Sequence, residues 1–161
     1  MKEIVFNSIK ETQSFAADFA KTIPPGTVIG LLGDLGTGKT TFSQGFANGL
    51  GIKDKVISPT FKLVSEYNSD PPLYHIDCYR LDSSFDFLNI GGEEFINSNK
   101  SITLIEWAER IESLWSKNWM FINFNLVKEK PDSRKIDISV LMCVIIVTFT
   151  VIIYIRTNKF N

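Results

Sequence analysis

An α/β domain with a largely parallel central sheet is the fold class that this 161-residue sequence predicts. Three observations predict it. The run Thr27 to Leu32 (TVIGLL) is almost wholly apolar, as in a strand buried on both faces. A glycine-rich turn follows at once, and then a helical pattern from about Lys39 to Asn48. Strand-like and helix-like stretches alternate along the rest of the chain, as they do where helices cover the faces of a parallel sheet.

Lys2 to Phe6 reads as a first short strand. Ser8 starts a helix, with Glu11 three residues on in a capping-box arrangement. Phe15, Ala16, Phe19, Ala20 and Ile23 give that helix one apolar face, and Pro24, Pro25 and Gly26 stop it. Gly49 and Gly51 close the helix that begins near Lys39. Two more strands, Lys62 to Tyr67 and Leu73 to Cys78, flank the turn NSDPP, and Asp82 to Asn89 is a short helix. Ser101 to Ile105 is another apolar strand, ending in Glu106, and Trp107 to Lys117 is a helix. Met120 to Val127 and Arg134 to Val140 are closing strands across the charged turn KEKPDS. No repeat or low-complexity linker interrupts this order, so residues 1–139 are expected to form one domain.

Composition limits the function classes. Apolar residues make up 44% and charged residues 22%, an ordinary globular balance, and the net charge is −1. Such a chain lacks the basic footprint of a protein that grips nucleic acid alone. Cys78 and Cys143 lie far apart and form no metal-ligand pattern, which points to a reducing compartment. The N-terminus MKEIVFNSIKETQ has no apolar stretch of signal-peptide length. A cytoplasmic domain is the expectation.

The glycine-rich turn carries the chemistry. Gly33-Asp34-Leu35-Gly36-Thr37-Gly38-Lys39-Thr40 fits G-x-x-x-x-G-K-[ST] at every fixed position. Glycines let backbone N–H groups turn inward around phosphate oxygens, and the helix that follows aims its positive end at the same anion. Lys39 is expected to reach the β- and γ-phosphates of ATP, and the Thr40 hydroxyl to ligate Mg²⁺. The four fixed positions recur by chance in on the order of one chain in 200 of this length; the flanking strand and helix make a chance match rarer still. The fold is thereby narrowed to a P-loop NTPase three-layer sandwich. Asp34 is the odd residue, since a carboxylate beside phosphates is repulsive unless it faces outward, approaches the metal or bonds the turn's own backbone.

Mg²⁺ at such a loop needs a carboxylate from a neighbouring strand. Two strands end in one, LYHID at Asp77 and SITLIE at Glu106. Both lie where phosphates sit if their strands run parallel to TVIGLL. One would hold the metal and the other orient the attacking water; spacing leaves the roles unassigned. His75 shares a face with Asp77 and would position it or a phosphate water. A lone strand histidine is more often a packed core residue, and spacing alone favours that. Arg80 would pair with phosphate or an acid. Trp107 fits a core position, a lid or a partner anchor.

In this order the motifs resemble one family. GDLGTGKTTF at 33–42, SPTFKLVSEY at 58–67, HIDCYRL at 75–81 and LIEWAER at 104–110 are similar to segments of the bacterial TsaE (YjeE) family. Gly91-Gly92-Glu93-Glu94 resembles its G-x-E-E segment, and Arg134-Lys135-Ile136 the start of its last strand. The resemblance implies an ATPase of tRNA threonylcarbamoyladenosine synthesis, strengthened by its partners TsaB and TsaD, with tRNA met only through that complex. It implies Thr60 and Asp77 on switch-like segments facing the γ-phosphate, and Glu106 as the Walker-B-type acid with Trp107 beside it. Thr12 matches a family threonine near the nucleotide, and Thr41 falls inside the matched loop.

The tail departs from the family. Ile138 to Ile155 is 18 residues without a charge, the threshold length for a membrane span. Lys128, Lys130, Arg134 and Lys135 precede it, with Arg156 and Lys159 after it, a bias that would keep the ATPase domain cytoplasmic. A membrane anchor at 140–161 competes with an extension of the last strand, an added packed helix and a read-through end. Two other functions compete with the ATPase: a small-molecule or nucleotide kinase, which would need an acceptor pocket and an arginine-bearing lid, and a non-catalytic ATP-gated binding module.

Overall fold

The computed structural model describes residues 2–128 and 130–140. Among them, seven strands form one sheet: β1 (Lys2–Phe6), β2 (Val28–Leu32), β3 (Val64–Tyr67), β4 (Leu73–Asp77), β5 (Ile102–Glu106), β6 (Met120–Val127) and β7 (Lys130–Val140). Their spatial order is β1-β7-β6-β2-β5-β4-β3. The centre, β6-β2-β5-β4, is parallel throughout, while β7 lies antiparallel between β1 and β6 and β3 lies antiparallel on β4. The expected condition for the two acids is therefore met, because β4 and β5 both run parallel to β2.

Helices cover both faces, giving three layers. On one side α1 (Ile9–Ala20) and α2 (Lys39–Gly49) bury Phe19, Phe42 and Phe46 against Leu31, Leu104 and Phe124. These two helices approach closely: a Cβ on Gly49 would lie 2.2 Å from the carbonyl oxygen of Ala17. The other side holds α3 (Ser84–Asn89), α4 (Gly92–Ile96) and a 3-10 helix (Ala108–Leu114), with Phe87, Ala108 and Ile111 packed on Ile76, Ile105 and Phe121.

The caps explain several boundaries. Ser8 accepts from the backbone N–H of Glu11, and the Glu11 carboxylate accepts from the N–H of Asn7, one residue before the cap that a strict box would use. Ile23 is buried in the core but lies past the end of α1, in the turn before Pro24. At Ser83 a complete capping box with Asp86 starts α3 two residues later than the sequence suggests.

Elsewhere the structure corrects the sequence reading. The expected helix from Trp107 to Lys117 is a 3-10 helix, seven residues long. Trp107 enters it in the left-handed region, at φ 58°, and Ile111 leaves helical geometry at φ −121°, ψ 31°, so no continuous α-turn forms. Leu63, at φ 65°, likewise delays β3 to Val64. The five-residue α4 lies where no element was expected. β7 begins at Lys130, inside the expected turn; Leu126 faces Arg134 while Val127 faces Lys130, so the intervening residues bulge. Ile138 to Val140, the start of the apolar run, belong to β7. The remainder of that run, and with it every reading of the tail at 141–161, lies outside the described residues.

Candidate nucleotide-binding site

The loop between β2 and α2 is shaped by backbone conformation. Gly33, Gly36 and Gly38 have φ of 125°, 78° and 104°. At Gly33 the need for glycine is double, because a Cβ there would also lie 2.3 Å from the carbonyl oxygen of Phe124. The Thr37 hydroxyl donates to the Asp34 carbonyl at 2.7 Å, tightening the turn, and the Asp34 side chain is exposed. Gly38 caps α2, so the free N–H groups of the helix's first turn open toward the loop.

Lys39 closes this cradle from behind. Its ammonium donates to the carbonyls of Gly33 and Asp34, the second at 2.9 Å, and lies 3.9 Å from the centroid of the Trp107 ring. Burial lowers its pKa from the ordinary lysine value, against the opposing pull of Glu106, Glu109, Asp77 and Asp34. Trp107 is in turn packed on Tyr79, with ring centroids 4.9 Å apart.

The two acids stand side by side at the carboxyl ends of β4 and β5, where Asp77 pairs in register with Glu106. Their surroundings differ. Glu106 is buried and turned toward α2: its Oε2 accepts from the Thr40 hydroxyl at 2.8 Å. Its Oε1 lies 2.8 Å from Nε2 of His75 and 3.2 Å from the Ser43 hydroxyl. Asp77 turns toward the segment before β3. Its Oδ2 accepts from Ser58 and, at 2.7 Å, from Thr60, and its Oδ1 accepts from the backbone N–H of Tyr79 at 2.9 Å. His75 therefore contacts Glu106, not Asp77 as the shared strand face suggests. Arg80 lies with its guanidinium 4.2 Å over the Phe61 ring rather than on an acid.

These groups line one cleft of about 400 Å³, within the range of small-molecule sites. Of the residues singled out by sequence, Thr12, Leu35, Gly36, Gly38, Lys39, Thr40, Thr41, Thr60, Asp77, Glu106 and Trp107 reach it; Gly33, Asp34 and Thr37 shape the loop behind. Sequence reasoning missed Ser43, Ser58 and the contribution of Arg134 to the wall. Ser43 was within reach, being one helical turn past Lys39, whose carbonyl its hydroxyl also contacts. Arg134 was legible only as part of the last strand; its place at the cleft follows from the sheet order.

Among the described residues no cluster of three or more His, Cys, Asp or Glu side chains would hold a metal by itself. The donors beside the cradle are oxygens, from Thr40 and Glu106, with Asp77 close by. That set fits Mg²⁺, which takes one or two carboxylates and completes its shell with phosphate oxygens and water.

A phosphate cradle on a helix N-terminus, joined to a carboxylate on the adjacent parallel strand, places the molecule among the P-loop nucleotide-binding proteins. The family model described as "Threonylcarbamoyl adenosine biosynthesis protein TsaE" matches residues 6–136. The chain belongs to the TsaE family. It is 43% identical over 115 residues to the tRNA threonylcarbamoyladenosine biosynthesis protein TsaE of Bacillus subtilis, covering 70% of this chain and 71% of that one. The TsaE of Nostoc sp. is 37% identical over 149 residues, 90% of each chain. The crystal structure of YdiB from Bacillus subtilis superposes with a TM-score of 0.79 at 30% identity, over 98% of this chain and 95% of that one. Among the described residues no helix is long and apolar enough to cross a membrane.

Proposed function

We propose that this chain is a Mg²⁺-dependent ATPase required for threonylcarbamoylation of adenosine 37 in tRNAs that read ANN codons, hydrolysing ATP in complex with TsaB and TsaD to drive or reset the modification cycle. The names of the relatives supply the pathway. The observation that carries the ATPase reading is the 2.8 Å bond between Thr40 and Glu106, which ties the loop's metal-binding hydroxyl to the acid of the neighbouring strand.

The residues divide the work by position. The N–H groups of the loop and of the first turn of α2 receive the phosphates, and Lys39 moves from the carbonyls of Gly33 and Asp34 to the β- and γ-phosphate oxygens. Thr40 and Glu106 hold Mg²⁺, which when bound neutralises charge on those oxygens. Asp77 and Thr60 orient the attacking water, held in place by Ser58 and the Tyr79 N–H. Trp107 follows Lys39, since the two are in contact. Thr12 and Thr41 line the cleft beside the nucleotide. The Ser58–Thr60 segment then relays nucleotide state to TsaB and TsaD in the cytoplasm, and their binding alters nucleotide affinity in return. With a net charge of −1, the chain meets tRNA through its partners.

Phosphate release from Mg-ATP, measured alone and with the TsaB–TsaD pair, tests this. Release stimulated by the pair and reduced about 10²-fold or more by Lys39→Ala is expected. Tight ATP binding without release, even with the pair, would leave the gated module; phosphate appearing on an added acceptor would make the chain a kinase.

A further inference from the structure

His75 is the chain's single histidine and is fully buried in β4. Its two ring nitrogens are treated very differently. Nε2 lies 2.8 Å from Glu106 Oε1, whereas Nδ1 is buried with no hydrogen-bond partner among the described residues. Glu106 offers its oxygens as acceptors to Thr40 and Ser43, so the proton in the His75 contact belongs on Nε2. A ring selected only for packing would gain by satisfying both nitrogens or by being replaced with an apolar side chain. Here one nitrogen is left unsatisfied while the other meets the acid at the heart of the cleft.

The other donor to Oε1 is a weaker restraint. The Ser43 hydroxyl has one proton and lies 3.2 Å from Oε1 and 3.1 Å from the Lys39 carbonyl, so the two acceptors share it. His75 is then the firm donor on Oε1, and Oε2 is left to face Thr40. We propose that His75 is a positioning residue, whose Nε2–H fixes the rotation of the Glu106 carboxylate and so presents Oε2 beside the Thr40 hydroxyl. The inference rests on Glu106 acting as a metal-binding acid, as assigned above. Removing a group that orients a ligand in this way typically costs roughly 10–100-fold in metal affinity.

Two measurements on the full chain test it. The first is Mn²⁺ affinity with a non-hydrolysable ATP analogue at saturation, read as free Mn²⁺ by electron paramagnetic resonance. His75→Leu is expected to weaken Mn²⁺ binding about 10-fold or more while leaving metal-free nucleotide affinity unchanged. His75→Gln, whose amide N–H substitutes for Nε2–H, is expected to recover most of the loss. The second is the ¹⁵N spectrum of the ring, free of overlap because there is one histidine. Nε2 is expected protonated, and its signal should move in Glu106→Ala. Unchanged Mn²⁺ affinity in His75→Leu, a proton on Nδ1, or a Gln variant no better than Leu would each overturn the proposal. If His75→Leu fails to fold, the Gln variant and the ring spectrum still decide. Glu106→Gln separates the two readings. If it weakens Mn²⁺ and His75→Leu does not, the positioning role alone fails; if neither does, the metal role of Glu106 fails first.

Discussion

Lys39 must be charged to hold phosphate, yet burial lowers its pKa. Its proton is lost as pH rises through a value below the ordinary 10.5, so triphosphate affinity should decline on the alkaline side before that point. Calorimetric titration across pH checks this, with Lys39→Met expected to bind weakly and without the step. Cys78 shows the opposite shift: burial, with smaller contributions from Asp77 and Glu109, pushes its thiol up to about 12. A folded value above the unfolded 9.0 means that the stability it contributes is whole below pH 9 and is lost as pH climbs toward 12. In a Cys143→Ser background at pH 8, Cys78 should therefore resist alkylation in the native chain and react once urea unfolds it. At this scale the P-loop residues and both acids were legible, because fixed chemistry dictates their types and spacing. The contact between His75 and Glu106 was not, since it crosses between strands whose adjacency no local pattern specifies.

Strong local signals placed the longer elements. TVIGLL and SITLIE announced β2 and β5 by continuous apolarity, and the apolar face of α1 by its period. Only α4 escaped, and the 3-10 helix was expected as a longer regular one, because a five-residue helix or a broken 3-10 helix owes its form to tertiary packing, not to propensity. Two element-level expectations follow from the caps and contacts. Ser8→Ala removes the acceptor for the Glu11 N–H and should cost about 1 kcal/mol in urea unfolding. Gly49→Ala drives a methyl into the Ala17 carbonyl, should cost roughly 1–3 kcal/mol, and should lower the melting temperature more than Ser8→Ala.

As a whole the molecule is a sheet with a parallel centre and antiparallel margins, and its cleft draws on both, since Arg134 of β7 lines the wall opposite Thr60 and Asp77. A ligand bound there ties α1, α2, the ends of β4 and β5 and the middle of β7 together. Saturating Mg-ATP at about 100 times its dissociation constant should raise the unfolding free energy by about 2.7 kcal/mol, measured as a shift in the urea midpoint, and Lys39→Ala should abolish most of it. The parallel centre could be read from alternation of strands and helices; the insertion of β7 between β1 and β6 could not, because pairing between distant segments leaves no periodic trace.

That insertion also dictates an order of assembly. Lys2 pairs with Ile138, so β1 leaves the ribosome long before β7, the last described strand, supplies its neighbour. Until β7 emerges, β6 presents an open edge and β1 has nowhere to dock, whereas α1, α2 and the β2–β5 pair can already consolidate. Contacts this far apart in the chain are slow to close, which leaves the nascent protein vulnerable to edge pairing until β7 is made, by which point the phosphate loop is already complete.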